Sequence, residues 1–168
     1  LLGLDVGTTS IKAVVYRPDG IAVASAAAAT PTHVPRPRWA YYRADELWGT
    51  VVDVIQRAIA QLDDPGRIIS VAVASVAEAG VLLDARGEAT ADVIAWYDTR
   101  TKPQSDWLGE HVGADALFAS TGLSLQPIFS LCKMLWYREH EPEAWERAVH
   151  WLLIDEYIAF KLSGERGS

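Results

Sequence analysis

Within six residues near the start of the chain stand one carboxylate, one glycine and three hydroxyls: Asp5-Val6-Gly7-Thr8-Thr9-Ser10. Glycine lets a backbone turn tightly enough for successive N–H groups to converge on an anion. The hydroxyls of Thr8, Thr9 and Ser10 add donors, and Asp5 could hold Mg²⁺ directly or through water. That set suits a phosphate group. A well-capped polar turn that binds nothing has the same composition, and the six residues alone do not separate the two. Neither common glycine-rich phosphate signature, G-x-x-x-x-G-K-[ST] or G-x-G-x-x-G, occurs in the chain. The four histidines, His33, His111, His140 and His150, have no metal-ligand spacing, and there is no G-x-S-x-G elbow. They read as surface or core residues.

The elements that must position this turn are legible in the apolar pattern. Leu1 to Leu4 runs into it, and Ile11, Ala13 and Val15 alternate with Lys12, Val14 and Tyr16 beyond it, the period of a strand. Arg17-Pro18-Asp19-Gly20 is a type I turn with Pro second and Gly fourth, and Ile21 to Ala24 reads as a third strand, so a three-stranded antiparallel meander opens the protein. The three prolines of residues 31–38 mark an irregular loop. Leu47, Val51, Val54, Ile55, Ile59 and Leu62 then fall at helical spacing, with Asp45 and Glu46 where the helix dipole favours negative charge, and Asp63-Asp64-Pro65-Gly66 ends the helix. Ile68 to Val76 reads as a buried-type strand, Val81 to Leu83 as its partner and Asp84 to Gly87 as the turn beyond. From Thr101 onward the pattern is mainly helical, one stripe carrying Leu131, Met134 and Leu135 and another running from Trp151 to Leu162. Strand, helix, strand suggests an α/β core.

A chain of 168 residues fits one domain that buries roughly two-thirds of its unfolded surface. Its apolar runs are shorter than a membrane span, and no basic segment precedes an apolar leader, so the expectation is a soluble, untargeted protein without a membrane partner. The first residue is Leu rather than Met, so residues at the front are expected to be missing. Fifteen Lys and Arg against twenty-two Asp and Glu give a net charge of −7 with no basic stripe, which argues against nucleic acid. The single cysteine, Cys132, lies in an apolar run and reads as a buried, inert thiol, in keeping with a reducing cytoplasm.

The opening segment LGLDVGTTSIKAVVYRPDG resembles the first phosphate-binding segment of the FGGY carbohydrate kinases. Further segments resemble that family in character and order: RPRWAYYRADELW at 36–48, IAWYDTR at 94–100, TGLSLQPIFSLCKMLW at 121–136 and WLLIDEYIAFKLSGE at 151–165. The resemblance implies a ribonuclease-H-like (actin-like ATPase) α/β domain, its mixed sheet opening with the meander and helices packed around it. It implies ATP and Mg²⁺ as cofactors, with Asp5, Gly7, Thr8, Thr9, Ser10 and Lys12 on the nucleotide side and Asp5 as metal ligand. It also implies a cytoplasmic kinase whose residues 1–168 are the N-terminal lobe. A C-terminal lobe of the same polypeptide would be its partner, and apolar surface exposed in that lobe's absence leaves self-association as a homodimer open.

The family's sugar site implies a second group of residues here, Ala77, Glu78, Trp96, Asp98 and Arg100. Their chemistry suits a polyol: carboxylate and guanidinium groups hydrogen-bond vicinal hydroxyls, and an indole face covers the C–H side. Glu78, between short apolar runs, is favoured as the substrate ligand, because a buried carboxylate needs some partner. The plainer reading of the others is a structural Asp98–Arg100 ion pair with a core Trp96, and for Arg100 both readings stay open. Glycerol-specific members carry Arg before the Glu and Tyr in the segment matching Gln126 to Phe129, where this chain has Ala77 and Ile128. That departure disfavours glycerol and leaves a pentulose- or hexose-type substrate. The catalytic base, an Asp, and most of the adenosine site are expected beyond Ser168, so this chain alone is expected to be inactive. A non-catalytic actin-like assembly module is the rival reading, although such a module has no use for Glu78, Trp96 and Asp98 as a polyol pocket.

Overall fold

A computed structural model describes residues 1–165 and resolves into two compact units, one built from residues 1–32, 43–77 and 152 onward, the other from 33–42 and 78–151.

The first unit is built on a four-stranded sheet. β1 (Leu2–Val6), β2 (Ser10–Tyr16) and β3 (Ala22–Ala29) form the expected meander, and β6 (Val71–Ser75) adds in parallel to the other side of β1, giving the order β3-β2-β1-β6. The turn between β2 and β3 closes as its sequence requires: the Gly20 N–H donates to Arg17 O at 3.0 Å, and Gly20 takes φ +84°, which its missing Cβ permits. Leu2, Leu4 and Val6 alternate with Ile11, Ala13 and Val15 to bury one face. That face receives α1 (Ala44–Ile59), which buries Leu47, Val51 and Val54 of the expected stripe together with Ala58, while Ile55 and Ile59 of that stripe are half-buried. Full burial of each such aliphatic side chain contributes roughly 1.5–3 kcal/mol, so this interface anchors the unit. α6 (Ile154–Ser163) packs beside β6 through Ile154, Tyr157 and Ile158, and its first turn is closed by the Glu156 carboxylate, which accepts from Leu153 N at 2.7 Å.

The strand expected over residues 68–76 is shorter and more exposed than its apolar run suggested. β6 is an edge strand, with Val71, Ala72 and Ala74 exposed. Nor is β7 (Gly80–Leu83) its partner, since β6 pairs with β1 while β7 pairs with β9 (His150–Leu153). Apolar content reports burial on some face and carries no information about which strand lies alongside.

The second unit contains β4 (His33–Arg36), β5 (Trp39–Tyr42) and β8 (Val93–Ile94) in one small sheet. Residues 31–38, expected as an irregular loop, thus include most of a hairpin, with Pro37 and Arg38 at its tip and Arg38 at φ +68°. Proline is tolerated because the strand is short and lies at an edge. The helices α2 (Lys102–Leu108), α3 (Ala114–Thr121), α4 (Ser130–His140) and α5 (Pro142–Arg147) complete the unit. Its core joins Leu82, Ile94, Trp136 and Tyr137, with Trp39, Trp145 and Trp151 packed against them. Tyr137 ties this core to β8 through its hydroxyl, which donates to Asp92 O at 2.5 Å and accepts from Ile94 N at 3.0 Å. On α4 the buried residues are Cys132, Lys133, Trp136 and Tyr137, not the stripe through Leu131, and Leu131 is exposed. The two aromatics set which face turns inward and carry a lysine in with them.

Gly80 shows how closely this core is packed. A Cβ placed there would lie 2.1 Å from Cε2 and Cζ2 of the Trp151 indole. Gly80→Ala is therefore expected to lower stability by about 1–3 kcal/mol, the usual cost of overpacking, measured as a lower urea midpoint. A change below about 0.5 kcal/mol would mean that the indole swings aside freely.

Among the described residues no helix is long and apolar enough to cross a membrane.

Candidate functional site

In the first unit, β1 delivers Asp5 to an exposed position opposite Lys12 on β2 and beside Ala74 on β6. The turn that follows is closed by Gly7 N donating to Ser10 O at 3.0 Å, and a Cβ on Gly7 would meet that same oxygen at 3.0 Å. Glycine is needed here for space. Thr30, at the end of β3, pins the turn from behind: its hydroxyl donates to Gly7 O at 2.7 Å and its N–H to Thr9 O at 3.1 Å. The Gly7 amide is thus engaged inside the turn, while the side chains of Asp5, Thr9, Ser10 and Lys12 are exposed and Thr8 is half-buried. Asp5 and Lys12 also line a groove of about 390 Å³ on the face of the sheet away from α1.

The carboxyl ends of β1 and β6 lie side by side, Val6 opposite Ser75. α6 brings a further carboxylate there, which the sequence did not single out. Asp155 accepts from Ser75 Oγ at 3.1 Å, and its N–H donates to the same hydroxyl at 3.0 Å. No group of three or more metal-ligating side chains exists among the described residues. Asp5 and Asp155 are carboxylates of the kind that hold Mg²⁺ singly or in pairs, with waters and phosphate oxygens completing its shell.

In the second unit, Glu78 adopts φ +60°, a conformation that costs a non-glycine residue about 1–3 kcal/mol and tends to collect at functional positions. Its carboxylate accepts from Ser130 N at 2.5 Å and from Ser130 Oγ at 2.8 Å. Negative charge thereby sits at the first turn of α4, where the unpaired N–H groups and the helix dipole favour it. Glu78 also forms one wall of a mostly apolar pocket of about 220 Å³ with Leu108, Leu125 and Phe129.

Asp98 is 1 % exposed and wholly engaged by protein donors. Arg100 holds it through Nε at 3.0 Å and Nη2 at 2.8 Å, the Arg100 N–H adds 2.7 Å, and the Ala40 N–H of β5 adds 2.6 Å. The guanidinium is stacked over the Trp39 ring at 4.1 Å and near the Trp136 ring at 5.0 Å. The ion pair that the sequence offered as the plainer reading is present. Trp96 is 38 % exposed rather than a core residue, with Tyr97 edge-on at 5.6 Å, and Ala77 is exposed.

Lys133 connects the parts. Its side chain is fully buried, its ammonium donates to Ile128 O, and it is attracted to Glu78, Cys132 and Asp98. Burial pushes it down to about 8 from its ordinary value, against the upward pull of those three groups. Sequence reasoning passed over Lys133 because it stood inside the apolar run Leu131 to Leu135. The signal available was a cation three residues after Ser130, on the same helical face. Cys132 is buried as expected, and burial pushes its thiol up.

The family model of the N-terminal domain of the FGGY family of carbohydrate kinases matches residues 1–168. The chain belongs to the FGGY family. It is 30% identical to a glycerol kinase of Streptococcus uberis over 97% of its length, covering 34% of that protein. In structure it is similar to a xylulose kinase from Rhodospirillum rubrum, with a TM-score of 0.93 and 29% identity over 99% of this chain and 35% of that one. It is also similar to a gluconate kinase from Lactobacillus acidophilus, with a TM-score of 0.90 and 27% identity over 98% of this chain and 33% of the other. This FGGY domain thus spans about a third of the length of the relatives it matches. The ribonuclease-H-like α/β fold implied by the sequence resemblance holds, and carbohydrate kinases of the family use ATP.

Proposed function

We propose that the protein carrying this FGGY domain transfers the γ-phosphoryl group of ATP to a hydroxyl of a sugar or sugar alcohol longer than glycerol, of pentulose or hexose type. The observation that carries this reading is the gathering of Glu78 and Asp98–Arg100 around the buried Lys133, in a chain that also presents the Asp5–Ser10 turn. Charged groups gathered and perturbed by burial in this way tend to collect at functional sites.

In this reading the Thr8, Thr9 and Ser10 donors and Lys12 hold phosphate oxygens, and Asp5 with Asp155 would hold Mg²⁺, which when bound neutralises charge developing on the phosphates. Glu78 orients the substrate hydroxyls, the exposed face of Trp96 covers the carbon chain, and Asp98 acts by fixing Arg100. The base that takes the hydroxyl proton, and the closure of the site, belong to a second lobe of the same cytoplasmic polypeptide. Ala77 and Ile128 support the longer substrate, since neither offers the polar contacts that Arg and Tyr give a three-carbon polyol.

The test is ADP release from the complete polypeptide with a panel of pentuloses, hexoses, polyols and glycerol, alongside the 168-residue chain alone. The expected result is a pentulose or hexose as best substrate, glycerol at least about tenfold lower in kcat/KM, the range a few altered pocket contacts supply, and no turnover by the chain alone. Glycerol as best substrate overturns the substrate class. Nucleotide binding without turnover of any sugar points instead to the assembly module.

A further inference from the structure

We infer that Lys133 is a positioning residue of the sugar site, fixing the Gln126–Phe129 loop and steadying the Glu78 carboxylate so that it sets substrate affinity without touching substrate. The inference rests on the kinase reading above.

The loop between α3 and α4 is held carbonyl by carbonyl. Gln126 O accepts from Phe129 N at 3.4 Å and from Cys132 Sγ at 3.6 Å. Pro127 O accepts from the hydroxyl of Thr101, itself fully buried, at 2.7 Å. Ile128 O accepts from Lys133 Nζ, and Phe129 O from Cys132 N at 3.0 Å. Three of these are neutral bonds from backbone N–H or hydroxyl, and one is a weak thiol contact. Only the bond to Ile128 has a charged donor, and such bonds are roughly twice as strong as neutral ones.

The same ammonium lies within the field of Glu78, whose carboxylate reaches Ser130 one helical turn before Lys133. Glu78 sits in a strained backbone conformation that persists only where its surroundings over-determine it. The Ser130 donors provide one restraint, and the cation provides the other. A buried lysine brings a large desolvation cost to a helix that a leucine would fill without one, so a purely structural role would be better served by an apolar side chain. A cation acts on both Ile128 O and the Glu78 carboxylate, where an apolar side chain would act on neither.

The groups facing the ammonium are Glu78 from the turn before β7, Cys132 from its own helix and Asp98 from the segment after β8. Burial raises the Cys132 thiol, so it keeps its proton near pH 8. Lys133 is charged below about pH 8 and becomes a neutral amine above it. The attraction to Glu78 is therefore present at lower pH and fades as pH rises through that value.

The complete polypeptide is assayed with its best sugar as wild type, Lys133→Met and Lys133→Arg. Lys133→Met is expected to raise the KM for sugar about tenfold or more while kcat and the KM for ATP move less than about threefold, since loss of a charged hydrogen bond acts on the sugar side alone. In wild type the KM for sugar should climb between pH 7 and 9 with the KM for ATP flat. Lys133→Arg, which keeps its charge throughout, should abolish that climb. If Lys133→Met does not fold, the wild-type profile decides: a flat KM for sugar across pH 7–9 overturns the inference. An unchanged KM for sugar in a folded Lys133→Met protein overturns it as well, leaving the kinase reading intact. Absence of turnover with any sugar in wild type overturns the kinase reading and this inference together.

Discussion

Asp98→Ala is expected to cost about 3–5 kcal/mol of stability, the range for breaking a buried ion pair by removing one partner. The mechanism is the state of what remains. The Arg100 side chain is only 7% exposed and stacked on indoles, so without Asp98 its cation stays buried without a hydrogen-bonded counter-charge and keeps only the attraction of Glu141. The Ala40 and Arg100 N–H groups lose their acceptor at the same time. Asp98→Asn should recover part of the loss by keeping the shape and one acceptor oxygen, although its amide N–H₂ then faces donors. The measurement is the urea midpoint with intrinsic tryptophan fluorescence, which also reports the Arg100 stacking on Trp39 and Trp136. A loss under about 1 kcal/mol would match an exposed pair and return Asp98 to the list of groups free to contact substrate. Sugar affinity should fall in any folded Asp98→Asn protein, because Arg100 is no longer fixed.

The opposite signature is expected at Asp5. Its side chain is exposed at the end of β1, and substitution at an exposed site without special contacts usually changes stability by less than about 0.5 kcal/mol. A metal ligand on transferring phosphates, by contrast, carries several kcal/mol of transition-state stabilisation. Asp5→Ala should therefore lower kcat by about 10²-fold or more while leaving the melting temperature within a degree or two, and it should raise the Mg²⁺ concentration needed for half-maximal rate. Asp5→Asn should be nearly as slow, since an amide keeps the shape and loses the charge. Near-normal turnover in folded Asp5→Ala protein would remove the turn's carboxylate from the mechanism. Together the two aspartates separate a side chain committed to the fold from one that is exposed.

Local pattern carried the first unit far. Alternation over Ile11 to Tyr16, the Pro18–Gly20 turn and the helical spacing of Leu47 to Ile59 each express an interaction between residues close in sequence, so β1, β2, β3 and α1 were legible without tertiary knowledge. The tight turn after Asp5 was legible for the same reason, since glycine and hydroxyls act within one hairpin. The proline-bearing hairpin of β4 and β5 was hidden because proline is usually a strand breaker and only the edge position of β4 excuses it.

What the chain could not disclose by itself is which polar groups find each other across long separations. Glu78 meets Ser130 over 52 residues and Ala40 meets Asp98 over 58, and neither pairing leaves a periodic trace. The sequence determined that a carboxylate would stand near the end of β1, that Glu78, Asp98 and Arg100 have the chemistry a polyol site uses, and that an α/β domain would hold them. Tertiary structure alone decided that Asp98 is saturated by four donors, that β6 takes the open side of β1, and that α4 turns Lys133 inward. The physical reason is that burial of a charge is set by the summed packing of Trp136, Tyr137 and their neighbours around it. A lysine's own position in an apolar run does not reveal whether it snorkels to water or is held inside by a carbonyl and a carboxylate.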